Sequence, residues 1–109
     1  MTKTLTWRLE LLNYLTANRN FFIDYVREHM PILRTTIPEG TFLAWIDCNA
    51  TDIIGNPYDF FLHQASVGLN DGLTFGAGGE GFVRLNFGCS RSTLTQALFQ
   101  MQMALTSRL

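Results

Sequence analysis

The sequence contains one lysine, Lys3, beside seven arginines. A reaction that runs through a buried amine, such as a Schiff base, therefore has no candidate beyond the chain start, where ends tend to fray. Cysteine is also scarce. Cys48 and Cys89 stand far apart and make neither a metal-ligand pattern nor a redox dithiol. They read as reduced thiols of a cytoplasmic protein. A basic excess is missing: eight basic against nine acidic residues give a net charge of -1. That excludes an electrostatic grip on nucleic acid. No apolar run approaches the roughly 20 residues that span a bilayer. The opening MTKTLTWRLE carries no apolar signal core, so neither membrane insertion nor export is expected. His29 and His63 have no second ligand at metal spacing, so no metal site is expected.

What is present is apolar. Hydrophobic residues make up 47% of the chain and charged residues only 16%, which excludes disorder and leaves surface for a partner. The 109 residues suffice for one domain, 1–109, with a single core.

The spacing predicts a helix over about 6–29. Leu5, Leu9, Leu12, Leu15, Phe22 and Val26 recur near a 3.6 period, and Asn18 falls with the polar positions. Pro31 ends it. Trp7, Leu11 and Tyr14 are left for a second partner. A linker, PILRTTIPEG, leads to a strand at 41–48 that is apolar on both faces, which predicts burial on both sides. Asn56 caps a second helix that begins at Pro57 and runs to about Val67, with Gly68 at its end. A short strand at 73–75, a glycine-rich turn and a strand at 82–87 follow. In the last strand Val83, Leu85 and Phe87 share one face and Phe82, Arg84 and Asn86 the other. Ser92 or Ser90 caps a final helix over about 92–107, with Leu94, Ala97, Leu98, Met101, Ala104 and Leu105 on its apolar face. The order is α-β-α-β-β-α: a two-layer α/β (α+β) fold with helices packed on a small sheet.

Among candidates for chemistry, Gly76-Ala77-Gly78-Gly79-Glu80-Gly81 spells GxGxxG. A dinucleotide site needs a helix after that run, and here a strand follows, so the glycines read as a turn with positive φ. Arg84 is sharper. A mid-strand arginine among apolar neighbours needs an anion beside it, from the protein or from a ligand. Asp47 is the internal option, and a ligand carboxylate matching the guanidinium fork is the external one. Asn86, on the same face, could bind the polar part of a ligand. Arg91 opens the last helix against its dipole, so something must hold it there. Cys48 has no base beside it and is not a nucleophile.

PEGTFLAWIDC, followed by a helix and then GLTFGAGGEGFVRLNFGCSR, resembles the C-terminal small domain of the fold type I pyridoxal-phosphate enzymes, the class I and II aminotransferases. YLTANRNFF and REHMP in the first helix resemble the cystathionine β-lyase-type C–S lyase branch. The resemblance implies that Arg84 binds the substrate α-carboxylate and that Gly40 forms the turn where the small domain meets the active site. Asn86 is a lesser candidate for the same site. Cys89-Ser90-Arg91 matches a motif that usually reads Cys-Pro-Arg, and loss of the proline is expected to loosen the turn.

The family's large domain supplies the Schiff-base lysine and the rest of the cofactor site, and none of these has a counterpart here. The chain is therefore expected to be a fragment without catalytic, cofactor-binding or metal residues of its own. The implied whole is a cytoplasmic homodimer that holds pyridoxal phosphate and cleaves cysteine-like amino acids to thiol, pyruvate and ammonia. An aminotransferase and a stand-alone binding or assembly module are the rival readings.

Overall fold

The computed structural model describes residues 2–76 and 78–107. Ala77 of the glycine-rich turn, Arg108, and the side chains of residues 2–5, Lys3 and Leu5 among them, lie outside the described residues. The elements run α1 (Thr2–His29), β1 (Arg34–Thr36), β2 (Leu43–Asp47), α2 (Pro57–Gln64), β3 (Asn70–Asp71), a 3-10 turn (Gly72–Phe75), β4 (Phe82–Asn86) and α3 (Arg91–Thr106). The four strands form one antiparallel sheet in the order β1-β2-β4-β3. All three helices contribute to one core with one face of that sheet. Phe22 and Val26 come from α1, Phe61 from α2, and Leu94, Leu98 and Met101 from α3. They meet Ala44, Ile46, Val83, Leu85 and Phe87. The two-layer α+β class is as expected.

Several local expectations need correction. The linker holds a strand: β1 pairs Thr35 with Ile46, so the order is α-β-β-α-β-β-α. Residues 73–75 are not a strand. Asp71 caps them into a 3-10 turn by accepting the Leu73 N–H at 3.0 Å. Helix α2 ends at Gln64, and the positive φ of 57° beyond it falls on Ser66 rather than on Gly68. Strand β2 buries only one face, Ala44 and Ile46, because all three helices lie on that side.

Helix α1 departs most from its periodicity. Leu9 and Leu12, expected in the core, are each 53% exposed. A 28-residue helix is about 42 Å long, more than the sheet and α3 can cover. Among its described side chains, the buried ones, Asn18, Phe22 and Val26, all lie in the second half. Asn18, placed with the polar face, is fully buried instead. Its Nδ2 donates to the carbonyls of Phe87 at 3.0 Å and Cys89 at 2.8 Å. Its Oδ1 accepts from Arg91 Nε at 2.8 Å. Tyr14, expected to be spare, donates to the Cys89 carbonyl and accepts the Arg91 N–H. These bonds bind α1 to the β4–α3 turn. Ser90 does not loosen that turn. Its φ of -65° is the angle a proline ring would impose, and its hydroxyl accepts the Thr93 N–H.

Two outcomes follow. Asn18→Ala leaves two carbonyls and a guanidinium N–H without their buried partner, a loss of about 3 kcal/mol in urea unfolding; a loss below about 1 kcal/mol would contradict the role given to Asn18. Cys48 is buried, and its thiol is pushed up to about 12 by burial and then by the negative charge of Asp47. The folded state keeps this proton where the unfolded chain has lost it. Stability is therefore complete below the ordinary thiol value of 9.0 and declines as pH rises from there toward 12. Cys48→Ala removes that part of the alkaline decline, which pH-dependent denaturation measures.

Candidate functional site

The alternation of β4 sends Val83 and Leu85 into the core and Arg84 to the opposite face. There Arg84 lies between two cross-strand partners, Trp45 on β2 and Asn70 on β3. Its Nε donates to Asn70 Oδ1 at 3.3 Å. Its guanidinium carbon stands 4.2 Å from the Phe75 ring centre and 5.8 Å from that of Trp45. The two rings meet edge to face at 5.3 Å. The aromatic faces offset part of the desolvation of the cation, by about 0.5–2 kcal/mol.

No carboxylate among the described residues pairs with Arg84. Asp47, the internal partner considered from sequence, is engaged elsewhere. Its Oδ1 accepts the Asn49 N–H at 2.9 Å and the Asn49 side-chain amide at 2.8 Å. The Nη groups of Arg84 thus keep their donors, in the flat fork that fits a carboxylate.

The glycine-rich run positions Phe75. Gly72 and Gly79 touch backbone to backbone, and a Cβ on Gly79 would come within 2.0 Å of the Gly72 carbonyl oxygen. Only glycine at both places lets the 3-10 turn fold down and present Phe75 to Trp45. The expected positive φ is found at Gly76, Gly78 and Gly81.

The structure separates the other candidates. Asn70, Arg84 and Asn86 border a cleft of about 230 Å³, but Leu85, Leu94 and Ala97 also line it, so it opens toward α3 rather than on the guanidinium face. Asn86 Oδ1 is spent on the Gly88 N–H at 2.8 Å. Gly40 does not touch Arg84. It sits with φ of 79° in the turn closed by the Thr41 N–H on the Pro38 carbonyl. Leu43 pairs with Asn86, which places this turn beyond the Asn86 end of β4. Arg91 is held by Asn18 and by the Phe21 ring at 4.6 Å. Sequence reading missed Asn70 and Phe75. The available signal was position: Asn70 precedes the Asp-Gly of a turn, and Phe75 is the last bulky residue before the glycines.

The described residues do not fit pyridoxal phosphate, the cofactor that the resemblance implies. The single lysine lies in the first turn of α1, about 17 Å of helix rise before Tyr14 meets the β4–α3 turn. In the glycine-rich turn the amides of Gly76, Gly79 and Phe82 are spent on the carbonyls of Leu73, Gly76 and Gly79, which leaves those three unavailable to a phosphate. No group of three metal-ligating side chains occurs among the described residues. No described helix is long and apolar enough to cross a membrane.

No protein-family model matches the sequence. The cystathionine beta-lyase of Corynebacterium glutamicum is 40% identical over 89 residues, covering 82% of this chain and 23% of the relative. Cystathionine beta-lyase PatB of Bacillus subtilis is 33% identical over 101 residues, covering 92% of this chain and 26% of its own length. The solved PLP-bound C-S lyase of Staphylococcus hominis has a TM-score of 0.88 at 29% identity, covering 98% of this chain and 29% of that one. The chain spans less than a third of the length of each of these relatives. With sequence similarity and fold in agreement, the chain belongs to the fold type I pyridoxal-phosphate enzymes, the family of cystathionine β-lyases, C–S lyases and aminotransferases, and corresponds to their C-terminal small domain.

Proposed function

We propose that this chain is the substrate-carboxylate domain of a longer pyridoxal-phosphate C–S lyase, a cytoplasmic homodimer. The whole protein would eliminate thiol from cysteine-like amino acids such as cystathionine, leaving pyruvate and ammonia. The relatives that carry the name cystathionine beta-lyase support this branch. The observation that carries the reading is Arg84: a partly buried arginine whose guanidinium is backed by two rings and a neutral amide, with no carboxylate partner among the described residues. An α-carboxylate on its fork fixes two atoms of the amino acid, and so fixes where the Cα–H bond points. Asn86, on the same face of β4 as Arg84, supplies its side-chain amide hydrogens to the polar part of the ligand. Gly40, with open space where a Cβ would be, leaves room for another part of the protein to approach. The cofactor comes from outside this chain, and the 109 residues alone are catalytically silent.

The test uses the native protein from its source cells. A polypeptide several-fold larger than 12.4 kDa is expected, releasing pyruvate from L-cystathionine. Arg84→Ala in that protein raises KM about a hundredfold, since both charge-assisted bonds to the carboxylate are lost. Arg84→Lys recovers part of that loss, because lysine keeps the charge without the fork. A native band at 12.4 kDa, or pyruvate formation by the isolated chain, would defeat the proposal. Transfer of the amino group without loss of thiol would move the whole protein to the aminotransferases, where the same clamp serves.

A further inference from the structure

We propose that Asn70 is a positioning residue for the carboxylate clamp. It occupies Arg84 Nε with a neutral acceptor and leaves the end-on pair of Nη groups as the fork for the ligand. The inference rests on the reading of Arg84 as the carboxylate-binding residue and names what gives that residue its orientation.

Strand β3 has only two residues, and each has a task. Asp71 is anchored through both oxygens: Oδ2 accepts from Asn56 Nδ2 at 2.8 Å and Oδ1 accepts from the Leu73 N–H at 3.0 Å. Asn56 caps α2, and Leu73 lies in the turn that carries Phe75. One carboxylate therefore ties β3 to both neighbours. Asn70, fixed beside it, is the cross-strand partner of Arg84. Its Oδ1 takes Nε at 3.3 Å, while Phe75 lies against the guanidinium at 4.2 Å. The bond sets the guanidinium about its long axis, and the ring restricts its tilt.

A guanidinium presents a carboxylate with two kinds of paired donors: Nε with one Nη, side-on, or the two Nη groups, end-on. Asn70 closes the side-on pair. The acceptor's neutrality is the second half of the device. An aspartate here would hold Nε equally well, but its charge would compete with the ligand for Arg84. An amide fixes the geometry and leaves the cation uncompensated.

The experiment is made on the intact protein that carries this domain, with Asn70→Ala, Asn70→Asp and Arg84→Ala. The first readout is the Arg84 Nε–H resonance in ¹⁵N-labelled protein, which needs no turnover. It is expected to be protected from solvent exchange in the wild type, unprotected in Asn70→Ala and protected again in Asn70→Asp. The second readout is KM and kcat for L-cystathionine, with the thermal midpoint as a check on folding. Asn70→Ala is expected to raise KM about tenfold with little change in kcat. Asn70→Asp is expected to raise KM further although it restores the hydrogen bond, a pattern that a merely structural role cannot give. Should Asn70→Ala not fold, Asn70→Asp still decides through protection and KM together.

Wild-type Nε–H without protection, or protection unaffected by Asn70→Ala, would overturn the proposal. So would unchanged KM in both Asn70 variants while Arg84→Ala raises it; that result leaves the Arg84 reading standing. If Arg84→Ala also leaves KM unchanged, the Arg84 reading itself fails, and the positioning role with it.

Discussion

The buried amide of Asn18 is the constraint on which the packing of this chain depends. A long helix has no intrinsic reason to lie across the end of a four-stranded sheet. Here it is fixed by one side chain that satisfies the Phe87 and Cys89 carbonyls and the Arg91 guanidinium together. The amide has both donors and an acceptor at one point, which no apolar residue of that size offers. Around it the apolar contacts fall into register. Phe22 stacks on Phe87 with ring centres 6.5 Å apart, and Tyr14 closes the turn from the solvent side. Since Phe87 directly follows β4, the anchor also sets the end of the strand that carries Arg84.

The second constraint is electrostatic. Arg84 sits on the sheet face that no helix covers, where a bare arginine would be ordinary. Two aromatic rings and one amide take it partly out of water without neutralising it. A cation so placed keeps its full charge and its Nη donors for an anion while its orientation is fixed. Backbone shape creates the arrangement. The Gly72–Gly79 contact brings Phe75 down, and the Asp71 carboxylate holds the turn and β3 together.

Much of this was legible in the sequence because it rests on short-range rules. The alternation of 82–87 placed Arg84 opposite the core, and the Asn56-Pro57 start gave α2 correctly. Other features were hidden because they depend on distant partners. Asn18 reads as a solvent residue until the turn that it serves is 69 residues away in sequence and 3.0 Å away in space. Leu9 and Leu12 have the period of a core face, but periodicity says nothing about how far the core extends along a helix. Asn70 and Phe75 carry no motif, and they matter through register alone. Strand β1 was missed because a three-residue edge strand with Thr-Thr has no hydrophobic alternation to show.

The central claim is that Arg84 presents an end-on fork to an α-carboxylate while Asn70 holds its Nε. A crystal structure of the intact protein soaked with L-alanine tests it most directly. The account predicts the two carboxylate oxygens within about 3 Å of the two Nη atoms of Arg84, with the Asn70 bond retained. A carboxylate held elsewhere, by Arg91 or by residues outside this domain, with Arg84 pointing into solvent, would contradict it.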